Sequence, residues 1–112
     1  MEGDRIENIV SETAKRISEL IQDDLGRIIL FGSYARGDFT KESDIDLAVL
    51  VMCDREETGK YKDGLVELSA EIDLENMVVV NCVCVPYSEF NEKKRYYPFY
   101  ANIEKEGKVI YG

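Results

Sequence analysis

Three short apolar runs, each rich in β-branched residues, divide this chain: Arg27 to Phe31, Ile45 to Met52 and Met77 to Val85. Runs of that length, bounded by glycine, proline and polar residues, read as buried strands. Pro86 ends the third, because a proline cannot continue a central ladder. Around the strands lie segments with helical periodicity. Asp4 to Asp24 carries Ile6, Ile9, Val10, Ile17, Leu20 and Ile21 on one stripe, with Asp4 placed to cap the start, Glu7 three residues on, and Gly26 where the helix would stop. Glu56 to Glu75 carries the stripe Tyr61, Leu65, Leu68 and Ile72, weakened early by Gly59 and Gly64. Ser88 to Tyr97 reads as a short helix capped by Ser88. Pro98 suits the first turn of a last helix that closes at Gly107. Val109 to Tyr111 either pairs as a short final strand or packs as a tail. The order α, β, turn, β, α, β, α, α predicts an α/β (α+β) fold, a two-layer sandwich in which helices pack on a small mixed β-sheet.

With 112 residues the chain is expected to be a single domain, 1–112. The composition, 45% hydrophobic and 33% charged, is ordinary for a globular domain. No apolar run approaches the roughly 20 residues needed to span a bilayer. The acidic start, Met1 to Asp4, is unlike a signal peptide, so a cytoplasmic location is the default expectation. The net charge of −9 argues against a broad nucleic-acid surface, since phosphate neutralisation supplies most of such binding. A small anionic ligand remains compatible if metal ions bring the positive charge.

The chain has no histidine, which removes Ser-His-Asp and Cys-His catalysis and every His-ligated metal site. The cysteines, Cys53, Cys82 and Cys84, lack zinc spacing and read as buried thiols, with Cys82 and Cys84 on one sheet face. A metal here must be a hard cation held by carboxylates. Lys93-Lys94-Arg95-Tyr96-Tyr97 is the one basic and aromatic cluster; a solvated helix face with the tyrosines in the core is the expectation, against an RNA contact.

One stretch carries chemistry: Gly32-Ser33-Tyr34-Ala35-Arg36-Gly37-Asp38, a polar loop, then Asp44-Ile45-Asp46-Leu47. Asp44 and Asp46 are two apart at the opening of a strand, so both carboxylates fall on one face. Ile45, Leu47, Val49 and Val51 point to the other and anchor the backbone. Two close carboxylates repel unless protons or cations neutralise them. Mg²⁺, or Mn²⁺ in its place, suits such an oxygen-only site and also takes phosphate oxygens. Gly32 follows a strand directly and lets the backbone approach a ligand. Ser33 adds a hydroxyl and an N–H. A helical turn from Tyr34 to Gly37 would favour an anion. Arg36 is placed to pair with phosphate, or instead to bridge Asp38 or Asp44. Tyr34 is read as a packing residue rather than a base-stacking one. Gly32 to Gly37 has the glycine spacing of a P-loop, but Asp38 stands where its lysine belongs. The parts suit phosphoryl chemistry in which two cations about 3.5–4 Å apart activate an attacking hydroxyl and steady the leaving pyrophosphate.

The motif Gly32 to Val49 resembles the signature of the DNA polymerase β-like nucleotidyltransferase superfamily. It is most similar to the small minimal nucleotidyltransferase domains, the group that includes MNT-type antitoxins. The tail, Pro98 to Gly107, and the helix-strand order also resemble that group. The resemblance implies a polymerase β-like fold. It implies that Gly32 and Ser33 hold the triphosphate of an NTP, ATP first, and that Asp44 and Asp46 are the catalytic, metal-binding carboxylates. The implied reaction moves a nucleoside monophosphate to an acceptor hydroxyl and releases pyrophosphate. By analogy the acceptor is presented by a partner protein, a toxin of the HEPN type. The family also uses a third carboxylate, on the strand after the long helix. That strand, Met77 to Val85, has no acid; Asn81 is its polar side chain, and Asp73 and Glu71 are the nearest acids upstream. The departure opens a second implied role, a catalytically weak or inactive antitoxin or regulatory subunit that binds a HEPN-type partner without turnover.

Overall fold

The structure, a computed structural model, describes residues 2–112; Met1, the first residue of the acidic start, lies outside them. The first helix, α1, runs Glu2–Ile21 and is followed by one 3-10 turn, Gln22–Asp24. Asp4 therefore sits inside the first turn, where its charge favours the helix N-terminus, rather than capping it. Strand β1 is Leu25–Phe31, the helical turn α2 Ser33–Arg36, and β2 Ile45–Val51. The long helix α3 is Arg55–Asn76, and β3 is Val80–Pro86. Helices α4, Tyr87–Lys93, and α5, Pro98–Glu106, precede β4, Lys108–Tyr111.

The four strands form one mixed sheet in the order β3-β2-β1-β4. β1 pairs antiparallel with β2 and with β4, while β2 and β3 run parallel, joined by α3 as the crossover helix. Val109 to Tyr111 thus resolve as a strand. Most of the apolar surface lies on one face, where Ile28, Leu30, Ile45, Leu47, Val49 and Val51 pack under Ile6, Ile9, Val10 and Ile17 of α1 and Leu65, Leu68 and Ile72 of α3. The other face is covered only in part. There Ile29, Ala48, Leu50 and Val85 pack against Phe90 of α4 and Tyr100 and Ile103 of α5.

Three boundaries differ from the sequence reading, each for a local reason. Gly26 does not end a helix; it lies in β1 at a register shift, where a side chain would collide with Tyr87 and meet Met52 Sδ at 3.0 Å. β3 starts later than Met77, because Met77 closes α3 in the left-handed conformation, φ 56°, and its N–H bonds to the Asp73 carbonyl. Ser88 is within α4 and makes no cap; Pro86 occupies that position. Helix α3 itself is capped by Asp54, whose carboxylate accepts the Glu57 N–H at 3.0 Å. Among the described residues no helix is long and apolar enough to cross a membrane.

Candidate active site

The site forms where the end of β1 meets the start of β2. Phe31 and Asp46 are paired residues of the antiparallel ladder, so the chain leaving β1 at Gly32 passes directly over the Asp46 carboxylate. Gly32 has φ 77° and ψ −156°, a region reserved for glycine. A Cβ at this position would also strike Oδ2 of Asp46. Both the turn and the contact therefore require the absence of a side chain. The Gly32 carbonyl accepts the N–H groups of Ala35 at 3.1 Å and Arg36 at 3.0 Å, which folds Ser33 to Arg36 into one helical turn. Gly37 closes it with φ 89°. As first residue of that turn, Ser33 has no acceptor within it for its N–H.

Asp44 immediately precedes β2 and is exposed; Asp46 is half-buried. The preceding loop is fixed by its own turn, in which the Thr40 N–H donates to Ser43 Oγ at 2.8 Å and the Ser43 N–H to the Thr40 carbonyl at 3.1 Å. Burial pushes the Asp46 carboxyl above the usual carboxylate range, and the neighbouring Asp44 charge adds to this. The Asn81 amide and the Arg36 charge pull it back in part. A carboxylate under this strain gains from a cation.

The parallel register of β2 and β3 sets Asn81 opposite Asp46. Its Nδ2 donates to Asp44 Oδ2 at 3.1 Å and to Asp46 Oδ1 at 3.4 Å. Asn81 thus faces both aspartates from β3. The two upstream acids do not reach them. Asp73 lies on α3, and its Oδ1 accepts the Val80 N–H at 2.8 Å, holding the start of β3. Glu71 lies 3.6 Å from Arg16 of α1. No group of three or more His, Cys, Asp or Glu placed to hold a metal occurs among the described residues. The site instead offers two carboxylates, with the Asn81 amide donating to both and Asp46 Oδ2 lying against Gly32. Such hard oxygens suit Mg²⁺ bound by one or two carboxylates and completed by phosphate.

Arg36 pairs with Asp38 at 3.1 Å and with Glu106 of α5 at 3.4 Å, not with Asp44. Both partners hold its guanidinium pKa above the ordinary value. Tyr34 stacks on Phe39, ring centroids 4.6 Å apart, in a packing role. Two features were not visible along the sequence. Glu106 reaches the site only because α5 lies beside α2. Phe99 of α5 meets Phe31 edge-on at 5.7 Å, and so walls the sheet beside Asp46. The basic cluster departs from expectation: α4 ends at Lys93, and Tyr96 and Tyr97 are exposed rather than in the core. Lys94 pairs with Glu104 at 3.3 Å and Lys93 lies 3.8 Å from Glu89, so these charges serve the α4–α5 surface.

Comparison with known proteins finds relatives of the chain and of its fold. The family model for the nucleotidyltransferase domain matches residues 10–111. "Putative protein adenylyltransferase MJ0604" of Methanocaldococcus jannaschii is 34% identical over 105 residues, covering 94% of this chain and 97% of that protein. "Putative protein adenylyltransferase MJ0141" of the same organism is 38% identical over 73 residues, 65% of this chain and 72% of the other. Among solved structures, a toxin-antitoxin complex with AMP-PNP superposes with a TM-score of 0.58 at 23% identity, over 91% of this chain and 73% of that one. A Sulfolobus solfataricus protein described as a putative nucleotidyltransferase gives a TM-score of 0.56 at 18% identity, over 96% and 80% of the two chains. At such identities these likenesses speak for the fold, which is the polymerase β-like one.

Proposed function

The chain belongs to the nucleotidyltransferase domain family, as a minimal member, and on that premise we propose that it transfers a nucleoside monophosphate from an NTP, ATP first, to a hydroxyl of a partner protein, releasing pyrophosphate. The observation that carries this reading is the contact of Gly32 with Asp46, which brings the glycine-serine turn and the aspartate pair onto one surface. In the proposal Gly32 and Ser33 hold the triphosphate through backbone N–H and hydroxyl. Asp44 and Asp46 present their oxygens on the same side, as catalytic and metal-binding groups. Arg36, braced by Asp38 and Glu106, keeps a positive charge at the rim for phosphate. Mg²⁺ or Mn²⁺, when bound there, neutralises phosphate charge and lowers the barrier to displacement of pyrophosphate.

A protein acceptor is supported by the names of the two Methanocaldococcus relatives, and an adenine nucleotide by the AMP-PNP complex of the similar fold. That complex is a toxin-antitoxin pair, which supports a partner of toxin type, HEPN by the family analogy. The second reading, an antitoxin or regulatory subunit that binds such a partner with little or no turnover, is favoured by Asn81 where the family carries an acid. An amide cannot act as a base toward the attacking hydroxyl. Incubation with labelled ATP, Mg²⁺ or Mn²⁺ and the partner separates the two. Label transferred to the partner, and lost in Asp44→Asn and Asp46→Asn, supports the enzyme. A tight complex with no label favours the second reading. Label unchanged in both variants would overturn the proposed site.

A further inference from the structure

We infer that Asn81 makes this a one-cation centre: its amide seals the β3 side of the aspartate pair, so that a single divalent ion binds, on the Gly32 side, with the nucleotide. The inference rests on the nucleotide and metal site proposed above and sharpens its stoichiometry. The geometry has a direction. Asn81 Nδ2 engages Asp44 Oδ2 and Asp46 Oδ1, at 3.1 and 3.4 Å. Asp46 Oδ2 is turned the other way, against the Gly32 backbone. One edge of the carboxylate pair is thus occupied by N–H donors, and the opposite edge faces the glycine-serine turn.

An N–H donor carries partial positive charge, so a cation cannot share its place. For a second ion to bind between Asp44 and residue 81, both hydrogen bonds must break and the amide must rotate to offer Oδ1. Without an ion between them, the opposite orientation would set that oxygen against two carboxylates. Charge argues the same way. Among the protein groups the two carboxylates carry −2 and a neutral amide adds nothing toward a second ion, while a bound triphosphate adds the same charge whichever residue stands at position 81. A third acid at this position would remove the donor and bring the charge to −3. Asn81 is exposed, so changing it leaves the core untouched.

The test is a count of Mn²⁺ ions. Crystals grown with AMP-PNP and Mn²⁺ are expected to show one anomalous-scattering peak beside Asp46 on the Gly32 side. Crystals of Asn81→Asp are expected to show a second, between Asp44 and residue 81. Mn²⁺ electron paramagnetic resonance on the protein–AMP-PNP complex gives the same count in solution, one rising to two, and does not depend on crystallising the variant. Two ions in the unaltered protein would overturn the inference. So would a single ion in both proteins, because residue 81 would then not be what limits the site. AMP-PNP bound with no Mn²⁺ at Asp44 and Asp46, or not bound at all, would instead bring down the nucleotide-site reading beneath it.

Discussion

Along β2, Ile45, Leu47, Val49 and Val51 lie buried beneath α1 and α3, while the opposite face runs from Asp44 and Asp46 to Ala48 and Leu50. The first face is apolar from end to end. The second changes character midway: its far half is covered by α4 and α5, its near half is left open, and the open half carries the carboxylates. One strand therefore holds the fold with one set of side chains and presents a charged pair with the alternate set. The lesson is that the repulsion between Asp44 and Asp46 is tolerated because the packing beneath them does not depend on it. Stability and chemistry should separate residue by residue along this strand.

The sharpest way to break that comparison is to exchange neighbours. Asp46→Asn is expected to lower transfer by about 10³-fold, since charge stabilisation through a bound metal is worth several kcal/mol. The variant should melt at or above the temperature of the unaltered protein, because it relieves like-charge repulsion. A large drop in melting temperature would show that the two faces are not independent. Leu47→Ala, one residue along and wholly buried, is expected to cost about 2–5 kcal/mol in urea unfolding. Nucleotide affinity at temperatures where that variant stays folded should hardly change.

Gly32→Ala tests the seam between the faces. Its backbone conformation and the Asp46 contact both resist a methyl group, so a loss of about 1–3 kcal/mol is expected, and here stability and transfer should fall together. Smaller effects belong to the covered half of the second face. Glu89 binds Arg55, with Nε to Oε1 at 3.0 Å, and accepts from Tyr100 Oη at 3.0 Å. The Arg55 hydrogen bond is the main reason its carboxyl sits below the usual range, with Tyr100 and Lys93 adding to the shift. A folded-state value below the unfolded one contributes stability that is complete above the ordinary glutamate value, about 4.3, and is lost as the pH falls through the lowered one. Thermal melts should therefore show the unaltered protein losing on the order of 0.5–1 kcal/mol more than Glu89→Gln between about pH 5 and pH 3. A parallel fall in both would remove Glu89 from the account. Arg36→Gln should move stability least, since its pairs are exposed and screened by solvent. Isothermal titration with AMP-PNP and Mn²⁺ should register weaker binding if Arg36 meets phosphate, and no change if it serves only Asp38 and Glu106.

The strands and the charged pair were legible because their signals are local. A run of β-branched residues and an alternation of period two each announce themselves within a few positions. Gly32 was legible for the same reason, as a glycine leaving a strand. The boundaries that shifted depend on partners elsewhere. Gly26 lies in β1 at a register shift, where Tyr87 and Met52 leave no room for a side chain. The delayed start of β3 comes from Met77 in a left-handed conformation and from Asp73 holding the Val80 N–H. Tyr96 and Tyr97 were expected in the core on apolar character alone, but α4 ends before them and leaves them at the surface.

The apolar strands, the glycine-serine turn and the pairing of Asp44 with Asp46 on one face can be read along the chain, since each follows from backbone geometry over a few residues. That Asn81, and neither Asp73 nor Glu71, faces those carboxylates, and that Arg36 leans on Glu106, emerges only in the folded chain. Those relations cross from one element to another. They are set by the register of a parallel strand pair and the seating of helices on a sheet, which the packing of the whole core fixes.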